Sequence, residues 1–235
     1  MKIYAVKSNY RMDLKDFHYL LNSLPSVDRD KINRYVRWED AQRCLIGKIL
    51  IRSSIMTRFG ITNDAIFIEE DEFGKPFCKD VDDFHFNISH SGEWIVYVSD
   101  NGPVGIDVEE VNDIELDIVD RFFSNGEIRD IHQVDEANRM DYFYDLWTLK
   151  ESYVKAEGRG LSISMDSFHI RREVDAIITN GIDENYHFKQ YDIGTAYKLS
   201  VCAMSDKFPQ SIEVMELDEF ICHSIESMIE SDGFI

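Results

Sequence analysis

Asp107 and Glu109 stand two residues apart in Gly105-Ile-Asp-Val-Glu-Glu110. In an extended strand, side chains at that spacing share a face while Ile106 and Val108 point to the other. A third acid, Glu151, sits in Trp147-Thr-Leu-Lys-Glu-Ser-Tyr-Val-Lys155. Three carboxylates aimed at one point repel unless a cation lies between them, and hard oxygen ligands suit Mg²⁺. Taken alone, Asp-x-Glu is more often a solvated strand face than a metal site. The residues around it must decide.

Lys150, Glu151 and Lys155 fall in a segment with helical periodicity, 140–157, where positions 151 and 155 are one turn apart on one face. Glu151 there can reach a metal and Lys155 a phosphate attached to it; an exposed Glu–Lys pair is the ordinary alternative. Trp147 and Tyr153 can anchor this helix in the core. Phe86-Asn-Ile-Ser-His-Ser91 places Ser89 and His90 at a strand end, where hydroxyls and backbone N–H groups can bind phosphate oxygens. A polar turn without a ligand is the alternative. Neither Ser89 nor Ser91 is flanked by the glycines of Gly-x-Ser-x-Gly, and no Walker A or Gly-x-Gly-x-x-Gly pattern occurs. Between Asp28 and Arg52 lie Arg29, Lys31, Arg34, Arg37, Arg43, Lys48 and Arg52. In a chain of net charge −20 that local excess suits a small anionic ligand, or else a salt-laced helix face. Acids, serines and a basic helix, with Lys75 nearby, fit phosphoryl-type transfer by positioning and charge neutralisation.

These residues need elements to hold them. Residues 2–7 read as a strand, 14–24 as a helix ending near Pro25, and a long helix capped by Ser26 or Asp28 runs to Phe59, with Gly60 as its stop. Ala41, Leu45, Ile46, Ile49 and Leu50 form its apolar stripe. A strand at 66–70 and a turn at 71–76 precede two strands, 84–88 and 94–99, joined by Ser89–Glu93. The strand 104–109 opens a second half with helical segments at 114–123, 126–133 and 140–157. Strands follow at 168–172, 176–179, 186–191 and 197–203, then a helix at 217–229. Each half reads as strand, long helix, strands. The fold expected is therefore α+β, a pseudo-twofold pair of lobes spanning 1–104 and 105–235 with the active site between them.

The 235 residues, with 15 Phe, 11 Tyr and 3 Trp and 30% charged residues, have a globular composition. No apolar run approaches the roughly 20 residues of a membrane helix. The N-terminus lacks a signal-peptide pattern, which points to the cytoplasm. The acidic balance argues against nucleic-acid and anionic-membrane partners. Cys44, Cys78, Cys202 and Cys222 are too scattered for a zinc site and read as reduced thiols.

Phe86–Ser91, Gly105–Glu109 and Trp147-x-x-Lys-Glu-Ser152 with Lys155, in this order, resemble the 4′-phosphopantetheinyl transferases of the Sfp type. Arg37-Trp-Glu-Asp-Ala-Gln-Arg43, Gly74-Lys-Pro76, Arg121-Phe-Phe-Ser124 and Asp141-Tyr-Phe-Tyr144 extend the resemblance to about Pro209. It implies two α+β lobes with coenzyme A between them, and transfer of phosphopantetheine to a serine of an apo acyl or peptidyl carrier protein, releasing 3′,5′-ADP. By position, Asp107, Glu109 and Glu151 are the implied Mg²⁺ ligands. Glu151, Lys155 and Asp107 are the implied catalytic residues, with Glu151 the base toward the serine and Lys155 the partner of the pyrophosphate. Coenzyme A would meet Lys31, Arg43, Cys44, Phe73, Gly74, Lys75, Pro76, Ser89, His90, Asp107, Glu151 and Lys155, with Lys31 and His90 at the 3′-phosphate. Relatives often carry a basic residue where this chain has Asp28, and threonine where it has Cys44. A thiol bonds weakly and an acid repels phosphate, so Arg29, Arg34 or Arg43 would have to compensate. Phe122 and Phe123 are the expected apolar contacts for the carrier, and a monomer would hold the whole site. The rivals are a Mg²⁺-dependent phosphohydrolase and a non-catalytic coenzyme- or nucleotide-binding module.

Overall fold

The computed structural model describes residues 1–114, 119–174 and 176–231. Strand β1 (Lys2–Lys7) leads into helices α1 (Leu14–Asn22), α2 (Ser26–Ile32) and α3 (Trp38–Phe59), then β2 (Ile68–Glu70), β3 (Pro76–Cys78), β4 (His85–Ser91) and β5 (Trp94–Asp100). The second half runs β6 (Val104–Glu110), α4 (Val119–Phe122), α5 (Asn125–Gln133), α6 (Glu136–Glu157), β7 (His169–Arg172), β8 (Ile177–Asn180), β9 (His187–Tyr191), β10 (Tyr197–Ala203), β11 (Glu213–Glu216) and α7 (Leu217–Ser231). Among the described residues no helix is long and apolar enough to cross a membrane.

The repeat visible in the sequence is a repeat of topology. Strands β1, β5 and β4 lie in the order β1-β5-β4, and β6, β10 and β9 in the order β6-β10-β9, all antiparallel neighbours. A 22-residue helix packs on each set, α3 on the first and α6 on the second, and each ends on a glycine of positive φ, Gly60 and Gly158. The α+β architecture is thus two lobes of one plan. Helix α3 sinks Leu45, Ile46, Ile49 and Ile55 into the first core, each fully buried side chain being worth about 1.5–3 kcal/mol. Helix α6 does the same for the second with Phe143, Leu146, Leu149 and Ala156.

Four details differ from the sequence expectation. The long helix from Ser26 to Phe59 is broken at 33–37, where every side chain is exposed and nothing apolar holds the helix to the core. Strand β4 runs through Ser89 and Ser91, so the turn to β5 is only Gly92-Glu93. The short acidic strand β11 carries no alternating apolar pattern to find; it pairs in parallel with β1 on the edge opposite β5. The helix expected at 114–123 appears as α4 at its end, and 115–118 lie outside the described residues.

Gly105 sets how closely α6 sits on β6. A Cβ there would run into the Ser152 carbonyl oxygen and the Ala156 nitrogen, backbone atoms that cannot swing aside. With only hydrogen at that position the helix axis approaches until Glu151 and Lys155 hang beside Asp107. Gly105→Ala should cost about 1–3 kcal/mol by overpacking. A lower urea midpoint with unchanged slope would show it; an unchanged midpoint would mean the helix has room to lift.

Candidate active site

Strand β4 lies alongside β6, and its side chains do what backbone pairing does elsewhere. Asn87 Oδ1 accepts from the Ile106 amide at 3.0 Å, and Ser91 Oγ accepts from the Glu110 amide at 3.0 Å. The same alternation aims the serines at the acids: Ser89 Oγ donates to Asp107 Oδ1 at 2.9 Å and Ser91 Oγ to Glu109 Oε2 at 2.9 Å. Asn87, Ser89 and Ser91 therefore face the second lobe together, as the period of a strand requires. Roles for Asn87 and Ser91 were not visible in advance; the polar-at-every-second-residue pattern of 87–91 was the available signal.

Asp107 is 2% exposed. Its Oδ1 takes the Lys155 ammonium at 2.6 Å, and that ammonium also reaches Ser89 Oγ at 3.0 Å. Its Oδ2 is buried with no hydrogen-bond partner. Burial pushes the Asp107 carboxyl above the usual range, and Lys155 and Ser89 draw it part of the way back. Glu109 and Glu151 are also raised, first by burial and then by the charge of Asp107, which places all three acids in one electrostatic neighbourhood. They are not drawn in around a point: among the described residues no three His, Cys, Asp or Glu side chains are gathered to hold a metal ion. The donor set nevertheless suits a hard cation. It offers oxygens alone, and one of them is a buried carboxylate oxygen with no proton donor.

Lys150 belongs to the core instead of the site. Its ammonium is 0% exposed and bonds both carboxylate oxygens of Glu127, at 2.7 and 2.9 Å, and the Phe168 carbonyl at 2.9 Å. Glu127 also closes the capping box of α5 with Ser124 and accepts from the Ile170 amide at 2.8 Å. One turn of α6 thus sends Lys150 inward and Glu151 outward. Phe123, expected at a carrier surface, is 2% exposed and packs against Phe143 and Trp147; Phe122 is half-buried on the Trp147 edge.

The basic cluster is only partly free for an anion. Lys48 neutralises Asp28 at 2.9 Å, so the acid at that position is paired. Arg29 turns back to the Asn22 and Leu24 carbonyls and does not compensate. Arg43 bonds Asp40 at 2.6 Å and the Gly92 carbonyl at 3.0 Å, while its Nε is buried without a partner. His90 is exposed next to it; shielding by the surrounding protein and then the Arg43 charge hold its imidazole below its usual pKa. Lys31 is exposed at the end of α2. Burial pushes the half-buried Cys44 thiol up, against the pull of Lys48, Tyr35 and Lys31. At the turn before β3, Asp71 Oδ1 accepts from the Phe73 and Lys75 amides, both at 2.9 Å, and Gly74 takes positive φ. The Lys75 side chain leaves that turn for α6, where it donates to the Lys155 carbonyl at 2.7 Å and the Ala156 carbonyl at 2.9 Å. Pro76 begins β3.

Two family models match the chain: one described as 4′-phosphopantetheinyl transferase, N-terminal, over residues 8–102, and one described as 4′-phosphopantetheinyl transferase superfamily, over 103–202. The 4′-phosphopantetheinyl transferase Sfp of Bacillus subtilis is 36% identical over 224 residues, 94% of this chain and 100% of that protein. The 4′-phosphopantetheinyl transferase psf-1 of Bacillus pumilus is 32% identical over 94% of this chain and 97% of its own length. The gsp protein of Aneurinibacillus migulanus, also a 4′-phosphopantetheinyl transferase, is 35% identical over 85% and 84%. Among solved structures, a holo-(acyl-carrier-protein) synthase from Bacillus anthracis in complex with CoA (3′,5′-ADP) covers 43% of this chain and 93% of its own, at 21% identity and a TM-score of 0.38.

The Lys150–Glu127 pair gives a test of the packing beneath the site. Lys150→Met strands a buried carboxylate and should cost about 3–5 kcal/mol in a urea titration. A cost under about 1 kcal/mol, the range of a surface pair, would contradict the burial described.

Proposed function

The chain belongs to the Sfp-type 4′-phosphopantetheinyl transferases, and from that premise we propose how its own residues carry out the transfer. The donor is coenzyme A and the acceptor a serine hydroxyl of an apo acyl or peptidyl carrier protein. The observation that carries the assignment of the site is the junction of the two lobes at Asp107, where Ser89 from β4 and Lys155 from α6 share one carboxylate oxygen and the other has no donor.

Asp107, Glu109 and Glu151 would hold Mg²⁺. Bound there, the ion supplies charge neutralisation and orientation to a pyrophosphate. Lys155 then has two acidic claimants, the Asp107 carboxylate and the substrate's pyrophosphate, and its flexible four-carbon stem lets it serve the second once the first is otherwise satisfied. Ser89 offers its hydroxyl to a phosphate oxygen under the same condition. Lys31, His90 and Arg43 surround the 3′-phosphate; an anion there raises the His90 imidazole back toward protonation and strengthens its hydrogen bond. The Phe73–Pro76 backbone, held rigid by Asp71, receives the adenine, and Cys44 lines the nucleotide side. The nucleotide thus falls to the lobe of residues 1–104 and the acids to that of 105–235.

Chemically, the carrier serine oxygen bonds to the phosphorus that bears the pantetheine arm. The bond from that phosphorus to the bridging oxygen breaks, and 3′,5′-ADP leaves with the electron pair. The serine proton passes to Glu151, directly or through water. Glu151 stands on α6 one turn before Lys155, on the side of the helix that faces Asp107, which is the placement a base toward the incoming serine needs. We place the reaction in the cytoplasm, from the N-terminal pattern, and in a monomer, since both lobes of one chain line the site.

Incubation with coenzyme A, Mg²⁺ and an apo carrier domain should add one phosphopantetheine to the carrier by mass spectrometry. Chelation of Mg²⁺ should stop it, and Glu151→Gln should lower the rate by about 10²–10⁴, the range of a lost general base. No mass gain with several carriers would remove the activity, and a fully active Glu151→Gln would remove Glu151 from the mechanism. Release of inorganic phosphate in place of carrier labelling would point to a phosphohydrolase.

A further inference from the structure

Lys75 stands on the turn proposed for the nucleotide, yet its ammonium faces away from that turn's outer side. It donates to the carbonyls of Lys155 and Ala156 at 2.7 and 2.9 Å and lies 3.4 Å from that of Val104. The first two are last-turn carbonyls of α6, which the helix cannot satisfy itself. A cation there also opposes the negative end of the helix dipole. The third opens β6, three residues before Asp107. One ammonium therefore binds the end of the helix that carries Glu151 and Lys155 and the start of the strand that carries Asp107. Gly158 makes room: a Cβ there would stand 2.7 Å from Lys75 Cδ, and the residue's φ of +77° is itself one that side chains resist. At the other end, Asp71 fixes the Lys75 amide at 2.9 Å, so the clamp is rooted in a closed turn.

We propose that Lys75 is a positioning residue, one that locks the last turn of α6 against β6 so that the Lys155 ammonium is set on Asp107, and that it does not bind the phosphates of the nucleotide. The proposal rests on the coenzyme A assignment above and adds a link to it. The backbone that would receive adenine and the lysine that would meet pyrophosphate are joined through one side chain. Two close carbonyls and a third at 3.4 Å surround the ammonium, which is committed to the helix end and not to a phosphate. Burial has drawn this lysine down to about 8, against the opposing charges of Asp71, Cys202 and Glu157, in keeping with a group withdrawn from solvent.

The test separates rate from affinity. Lys75→Met keeps the stem and removes the donors. Coenzyme A affinity, by calorimetry without carrier, should fall by less than kcat does. The value of kcat should fall by about 10- to 100-fold, the loss that a mis-set catalytic group brings. Gly158→Ala displaces the Lys75 stem with its charge intact; it should show the same split, and the double variant should lose little more than either single one. Gly158→Ala carries the same test where Lys75→Met does not fold. Weakened coenzyme A binding with kcat intact would make Lys75 a ligand and overturn the proposal. So would kcat unchanged in both variants. A wild-type chain that binds no coenzyme A overturns the coenzyme assignment and this proposal with it, which distinguishes that failure from a variant that fails while the wild type binds and transfers.

Discussion

A carboxylate 2% exposed, with one oxygen shared by a serine and a lysine and the other without a donor, is the constraint on which the rest of the molecule turns. Burial at that depth is costly for a charge unless partners are held in place. The partners come from different lobes. Ser89 rides on β4 of the first, Lys155 on α6 of the second, and Asp107 on β6 where the two meet. The repeated lobe plan thus has a chemical consequence: it brings one strand edge from each half together, and the polar side chains of β4 replace a backbone ladder.

Helix placement follows from the same demand. Lys155 reaches Asp107 because α6 lies against Gly105 with no side chain between. Lys150, five residues earlier, anchors the opposite face through Glu127, and Lys75 ties down the end. Two of these three lysines are structural and hold the third at the carboxylate. Their charges are alike, and only their partners distinguish them: a fully buried acid, helix-end carbonyls, and an acid with a free oxygen.

Much of this was legible in the sequence. Alternation in a strand put Asp107 and Glu109 on one face, and helical spacing put Glu151 beside Lys155; both depend on local geometry alone. The lobe repeat was legible because the order strand, long helix, strands recurs in each half. What was not legible depends on partners distant in the chain. No local signal says that Lys150 points inward, that Lys48 neutralises Asp28, or that Lys75 spans to residues 155 and 156. The break at 33–37 was missed because each flank is helical and the segment holds Tyr35 and Val36, whose exposure no local pattern reveals. Strand β11 was missed because it is four residues long with its two apolar residues adjacent between acids, and β1 supplies its hydrogen bonds.

The donorless oxygen of Asp107 would anchor a divalent cation at the lobe junction once coenzyme A is present. Titrating Mn²⁺, as a paramagnetic substitute for Mg²⁺, into the coenzyme A-loaded protein measures this directly by electron paramagnetic resonance. One bound ion per chain, lost in Asp107→Asn while coenzyme A still binds, is the predicted result. Equal Mn²⁺ binding by wild type and Asp107→Asn would contradict it.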